Sequence, residues 1–354
     1  MKIAVVGGGI NGIMTAWELC KNKHDVELFE KKKIMTQTSS ASSKLLHGGL
    51  RYLENFEFNL VKEGLNERHW WINHATNIVK PIKIYIPVYR NSKRHALQYK
   101  LGLFIYDFLA GKRGIGKHNS HRKSSMELLC PELKKNGLLK GFSYFDAQMD
   151  DYKLGIWAAN KAKKNKNLLI HENTAINKIQ EDGVIFFKNK IKKFDKIVNV
   201  CGPWVNELLK ESNITPFNEL QLIKGSHIII NRKINHGFLL EVPGESRIFF
   251  VLPYKDQTLI GTTEVEQSIS RKIRISGKEI NYLIKAYNNY FVDQISKKNI
   301  VGNFSGVRPI IKDSQIISKS SREYKIEKNK NLICVYGGKW TTSRQLAKKV
   351  VKKI

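Results

Sequence analysis

The chain has 354 residues, 42% of them hydrophobic and 10% aromatic; this is ordinary globular composition, which excludes intrinsic disorder and suffices for two packed domains. Lys and Arg number 61 against 31 Asp and Glu, a net charge of +30. No helix-turn-helix, zinc-finger or RRM signature accompanies that charge, so nucleic acid is not the expected partner; an anionic membrane surface and a general lysine bias, visible in runs such as KAKKNKN at 161–167, both account for it.

In chain order, KIAVV at 2–6 is a short continuous apolar run, the pattern of a strand buried on both faces. Glycines follow, IMTAWELCKN reads as a helix, and HDVELFEK at 24–31 is the next buried strand, completing a β-α-β unit. The start carries one lysine and no small-residue cleavage site, so it does not read as an export signal. Helical patterns follow at 57–75 and 95–113, with an alternating strand at 81–89 between them. A helix near 150–165 precedes strands around 168–187 and the buried strand 195–204. Strand-like runs at 221–231, 247–252, 257–263 and 300–308, interrupted by a helix near 277–296, predict a mostly antiparallel sheet. LICVYGGKWTTSRQLAKKV at 332–350 is a strand, a double-glycine turn and a helix. No run of about eighteen apolar residues spans a membrane. Cys20, Cys130, Cys201 and Cys334 lie far apart with no CxxC pair; they read as reduced thiols of a cytoplasmic protein, with no metal site.

Gly7-x-Gly9-x-x-Gly12 is a dinucleotide fingerprint in its proper setting, after a buried strand and opening a helix. The first glycine makes the tight turn, the second lets the backbone approach a pyrophosphate, and the third packs helix on strand. Glu30, at the end of the second strand, suits a ribose diol. Spacing alone leaves NAD and FAD open. Two more strand-end turns, VNVCGPWV at 198–205 and YGGKWTTSR at 336–344, favour the longer FAD.

TSSASSKLLHGGLRYLE (38–54), LIKGSHIII (222–230), LIGTTEVE (259–266), SGVRPII (305–311) and GGKWTTSR (337–344) stand in the order and spacing of the FAD-dependent, quinone-linked glycerol-3-phosphate dehydrogenases, which the chain resembles from Lys2 to about Lys349. The resemblance implies an α/β fold of D-amino-acid-oxidase-like flavoprotein architecture. A Rossmann-like FAD-binding domain (1–80, 140–215 and 330–354) would interleave with a mostly antiparallel-sheet substrate domain (81–139 and 216–329). It implies that Ser39, Ser42, Ser43, Lys44, His47 and Gly49 wrap the FAD. Asn11, Ala175, Gly202, Trp204, Gly338, Lys339 and Thr341 join them as cofactor-binding residues. The implied reaction moves the C2 hydride of glycerol 3-phosphate to the flavin, gives dihydroxyacetone phosphate, and sends electrons to a membrane quinone. The protein is accordingly expected at the inner face of the cytoplasmic membrane.

The residue types agree with that chemistry. A phosphate wants planar bidentate donors, so Arg51 and Arg308 are the candidates, each with a structural ion pair as its alternative. His227 suits the hydroxyl proton, with a hydrogen-bonded core histidine as the alternative. Lys339 can place charge near the flavin or a developing alkoxide, and Thr262 and Thr263 suit a polar lining. Glu264 replaces the family's usual aspartate, and many relatives continue past the last motif into an additional helical domain. Three rivals stand beside the leading reading: oxidation of another phosphorylated or anionic polyol, an oxygen-using oxidase, and a non-catalytic flavin-binding membrane subunit.

Overall fold

The uninterrupted apolar run Lys2–Val6 forms a central strand because no polar side chain demands an open face; Ile3, Ala4 and Val5 are fully buried. In the computed structural model, which describes residues 1–312 and 324–354, it is flanked in parallel by Asp25–Phe29 and Lys196–Asn199. The sheet is completed by Leu168–His171 on one side and by Leu332–Gly337 and then Tyr324–Asn329 on the other; only the last strand runs antiparallel. Helices Ile10–Lys21, Asp151–Ala162 and Ser343–Val351 pack together beside it. This is a Rossmann-like layer whose strands come from both ends of the chain.

The second layer is a ten-stranded, largely antiparallel sheet. Its strand Leu220–Ile230 lies between Gln257–Gly261 and Ile300–Ile311. The register sets His227 opposite Phe304 and Ile223 opposite Arg308. Since side chains alternate with period two, His227, Gly225, Phe304 and Arg308 all lie on one face. The α/β class and the antiparallel second sheet match the expectation. The expected boundary at 139/140 instead cuts through a strand, Leu138–Met149, that pairs with Val79–Tyr89 in the second sheet. That strand shows no clean alternation because Gly141, Phe142, Ser143 and Tyr144 are all buried, so both faces are covered. Residues 313–323 of the expected second domain lie outside the described residues.

The glycine turn shows why the fingerprint needs its spacing. A Cβ at Gly12 would sit 1.8 Å from the Gly7 carbonyl oxygen, whereas one at Gly9 would meet only the Ser39 hydroxyl at 2.9 Å. The first contact is backbone on backbone and cannot relax without moving the strand end from the helix. Gly12→Ala should therefore yield insoluble or colourless protein with a Tm lowered by several degrees, measured by circular dichroism. Gly9→Ala should stay folded and lose flavin more than stability. Equal Tm values for the two variants would contradict this division of roles.

Candidate functional site

A cavity of about 1040 Å³ runs from the ends of the parallel strands to the face of the second sheet that carries His227 and Arg308. At its first end, Gly8 N–H donates to Glu30 Oε2 at 2.7 Å and Lys32 N–H to Oε1 at 2.9 Å. The carboxylate is thus fixed with lone pairs to spare for a diol. Ser39 Oγ accepts from Ile10 N–H at 3.0 Å. Asn11 lines the cavity, and its Oδ1 is buried without a partner among the described residues. Such an atom calls for a ligand donor. Ala175, Gly202, Trp204 and Gly338 also line the cavity. A Cβ at Gly338 would lie 2.7 Å from Asn11 Nδ2, so only glycine allows that approach. A bare glycine turn, a poised carboxylate and an orphaned amide oxygen fit a dinucleotide.

The serine-rich segment is held by a residue that sequence reasoning missed. Asp151 accepts from the Ser42 amide (3.0 Å) and hydroxyl (2.7 Å), and its other oxygen takes Lys44 Nζ at 2.6 Å. Lys44 also donates to the Ser40 carbonyl at 2.8 Å. Lys44 is therefore a buried ion-pair partner behind the wall and is not among the residues lining the cavity. Ser42 and Ser43 do line it.

The following turn is tied down by a second missed group. Gly48 N–H donates to Tyr106 OH at 2.8 Å; that hydroxyl and Arg68 Nη1 both donate to Asp146 Oδ1, at 2.7 and 2.8 Å. Arg68 and Asp146 are almost fully buried, and such a pair is costly to break from one side. His47 N–H reaches Thr341 Oγ1 at 3.3 Å. Trp340 Nε1 donates to the Ser39 carbonyl at 2.8 Å, and Trp71 Nε1 to the Thr341 carbonyl at 3.1 Å. These indoles, 5.4 Å apart, lock the double-glycine turn against the serine segment.

At the far end His227 stacks on Phe304 at 4.8 Å, and its Nε2 lies 2.9 Å from Ser43 Oγ. Burial above all, then the cations Lys44 and Arg308, push its pKa down to about 3; the ring is neutral. Arg308 lies across Gly225, where a Cβ would come within 3.4 Å of its Nη2. It pairs with Glu264 at 3.3 Å, so its ion-pair alternative and its place in the cavity hold together. Lys339 Nζ sits 3.9 Å above the Tyr52 ring. Thr262 donates to the Thr263 carbonyl at 3.1 Å. His227, Arg308, Lys339 and Thr262 all line the cavity with the glycine turns.

Arg51 does not line it; its neighbour Tyr52 does. Both belong to the short 3-10 helix Leu50–Asn55, whose three residues per turn set successive side chains far apart in direction. Gly49 is likewise outside the lining and serves the turn. Its φ is +83°, and a Cβ there would lie 2.1 Å from Tyr52 Cδ2.

Fold and cavity define a dinucleotide-dependent oxidoreductase with an extended cofactor. The model of the FAD dependent oxidoreductase family matches residues 2–352. The aerobic glycerol-3-phosphate dehydrogenase of Escherichia coli (strain K12) is 34% identical over 371 residues, 99% of this chain and 73% of that one. The D-erythritol 1-phosphate dehydrogenase of Brucella abortus is 34% identical over 364 residues, 98% and 72% of the two chains. The solved glycerol-3-phosphate dehydrogenase from Bacillus halodurans complexed with FAD superposes with a TM-score of 0.77 at 20% identity, over 100% of this chain and 64% of that one. The chain belongs to the FAD-dependent oxidoreductases, in the family of the FAD-dependent glycerol-3-phosphate dehydrogenases, and is shorter than these relatives. Its cofactor is FAD.

Because His227 titrates near 3 when folded and near 6.5 when unfolded, the unfolded chain binds the extra proton between those values. Its contribution is therefore neutral above pH 6.5 and increasingly destabilising as pH falls, by up to about 1.4 kcal/mol per pH unit. His227→Gln should flatten the fall of Tm between pH 6.5 and 4 in samples of equal FAD content. An unchanged slope would mean that the folded protein protonates His227 in that range.

Proposed function

We propose that the protein oxidises glycerol 3-phosphate to dihydroxyacetone phosphate and passes the electrons to a membrane quinone. The observation that carries this reading is the convergence of a guanidinium, Arg308, and a neutral imidazole, His227, on one sheet face inside the FAD cavity. FAD, when bound, supplies a two-electron acceptor for the hydride at C2 of the substrate. Gly7, Gly9, Glu30, Asn11 and the serine segment would hold it.

The chain's own residues do the rest. Arg308 takes the phosphate through charge-assisted hydrogen bonds. The hydroxyl proton moves to Nε2 of His227, with Ser43 Oγ as its neighbour. Binding of a dianion beside Arg308 offsets one of the charges that depress His227, so the base strengthens when substrate is present. Lys339 stabilises negative charge as the alkoxide develops. The likeness to a D-erythritol 1-phosphate dehydrogenase supports a second reading with the same chemistry, oxidation of a longer phosphorylated polyol. Arg51, outside the cavity wall, has no part in this account.

The same reading uses the helix Ala96–Ala110. Leu97, Leu101, Phe104 and Phe108 are 74%, 58%, 60% and 76% exposed, spaced as one helical stripe. The stripe ends beside exposed Lys112 and Arg113. Nearby acids are already engaged, Asp107 with His118 and Glu54 with Arg94. Gly102 of this helix faces Leu50, which opens the 3-10 helix that carries Tyr52 into the cavity. An apolar stripe with a cationic end suits an anionic lipid surface, and one short helix separates it from the cavity. No helix among the described residues is long and apolar enough to cross a membrane; docking at the inner face of the cytoplasmic membrane would be peripheral.

Two outcomes test the reading. Truncating one partner of a buried charge pair costs about 2–5 kcal/mol, so Arg308→Ala should lower kcat/KM for glycerol 3-phosphate roughly thirtyfold or more at about 1.4 kcal/mol per tenfold, with FAD content unchanged. Loss of FAD or solubility would assign Arg308 a structural role only. Sedimentation with anionic vesicles should decline with salt and drop at least about tenfold when Leu101, Phe104 and Phe108 are all changed to Ser. Binding that ignores lipid charge or these changes would rule the stripe out.

A further inference from the structure

Arg308 does not meet the cavity alone. Its Nη2 lies 3.3 Å from Oε1 of Glu264, and the other oxygen of that carboxylate lies 3.2 Å from Nε of Arg247. Glu264 is 9% exposed at its side chain, so its charge is poorly screened and must be shared between the two guanidiniums. Arg247 is absent from the cavity lining yet firmly placed. Its Nη1 donates to Tyr282 OH at 2.9 Å and its Nη2 to the Thr262 carbonyl at 3.2 Å. Its guanidinium also lies over the Tyr282 ring, 5.6 Å from the centroid. Tyr282 OH in turn donates to Glu245 Oε2 at 2.9 Å, a half-exposed carboxylate 3.8 Å from Arg247.

This arrangement bears on how Arg308 binds an anion. A buried carboxylate paired with Arg308 alone would cancel most of the charge that the guanidinium presents to the cavity, and an incoming phosphate would have to displace it. A second guanidinium on the other oxygen changes the balance. With Arg247 on its other oxygen, Glu264 shares its negative charge between two guanidiniums, so it orients Arg308 without its whole charge falling on Arg308. The Glu264 side chain spans both partners, one oxygen to each.

We propose that Arg247 is a positioning residue that, acting through Glu264, sets the affinity of Arg308 for the substrate's phosphate. The proposal rests on the reading above that Arg308 binds that phosphate. The test uses FAD-loaded protein and inorganic phosphate as the probe, with Kd read from the perturbation of the flavin spectrum or by calorimetry. Arg247→Gln removes one guanidinium from Glu264, throws more of its charge onto Arg308 and should weaken phosphate binding about tenfold, ~1.4 kcal/mol. Arg247→Gln combined with Glu264→Gln removes one charge of each sign and should return Kd to within roughly threefold of wild type; a coupling of this kind is what a double-mutant cycle isolates. Arg247→Lys, which keeps the charge, should stay within a similar factor of wild type. A merely structural Arg247 would not be rescued by a second substitution. Additive losses in the double variant, or no loss in Arg247→Gln, overturn the proposal. A phosphate Kd unmoved by Arg308→Ala overturns the reading beneath it instead, so the two failures are distinguishable.

Discussion

One buried carboxylate, Asp151, joins the parts on which the site depends. It opens the helix Asp151–Ala162 of the first layer and binds Ser42 twice and Lys44 once. Lys44 has a left-handed backbone, φ +60°, which costs a non-glycine residue on the order of 1 kcal/mol. The buried ion pair offsets that strain and keeps the bend between Ser42 and Lys44 in place. Ser43 sits at the bend, and its hydroxyl meets His227 Nε2 across the cavity at 2.9 Å. The helix layer, the cofactor wall and the imidazole of the second sheet therefore share one electrostatic anchor.

The anchor also sets the chemistry. Lys44 is held beside His227 by Asp151, and with burial and Arg308 it keeps that ring neutral. A neutral ring accepts a proton but holds it weakly in the absence of a nearby anion. On the proposed function, a phosphate on Arg308 would supply the missing negative charge and couple substrate binding to base strength through a single guanidinium. Glu264, and through it Arg247, hold Arg308 from behind. The end of the cavity that holds His227 is thus bordered by the charged groups Lys44, Asp151, Arg308, Glu264 and Arg247, of which Arg308 lines the cavity itself.

Local patterns were legible in the amino-acid sequence; partnerships across long separations were not. The strand Lys2–Val6, the turn Gly7 to Gly12 and Glu30 lie within thirty residues and obey short-range rules of burial and backbone space. The strands carrying His227 and Arg308 were also readable, and pairing register then fixed that both face the same way. Asp151 could be recognised as a first-turn acid, but its partners lie 107 and 109 positions away. The strand Leu138–Met149 escaped because burial of both its faces erases alternation. Arg51 was drawn toward the substrate by its neighbours in a motif, whereas in the 3-10 helix Leu50–Asn55 it is Tyr52 that lines the cavity. Arg247 gave no signal at all, since its contacts with Glu264 and Tyr282 form only in the folded chain.

The account stands or falls on whether this cavity oxidises a phosphorylated polyol. The direct measurement is anaerobic mixing of FAD-loaded protein with glycerol 3-phosphate while the visible absorbance of the oxidised flavin is followed. The account predicts bleaching in a single turnover with one equivalent of dihydroxyacetone phosphate, and no bleaching with unphosphorylated glycerol at the same concentration. Flavin that stays oxidised with glycerol 3-phosphate and with longer phosphorylated polyols, yet bleaches with a chemical reductant, would contradict it.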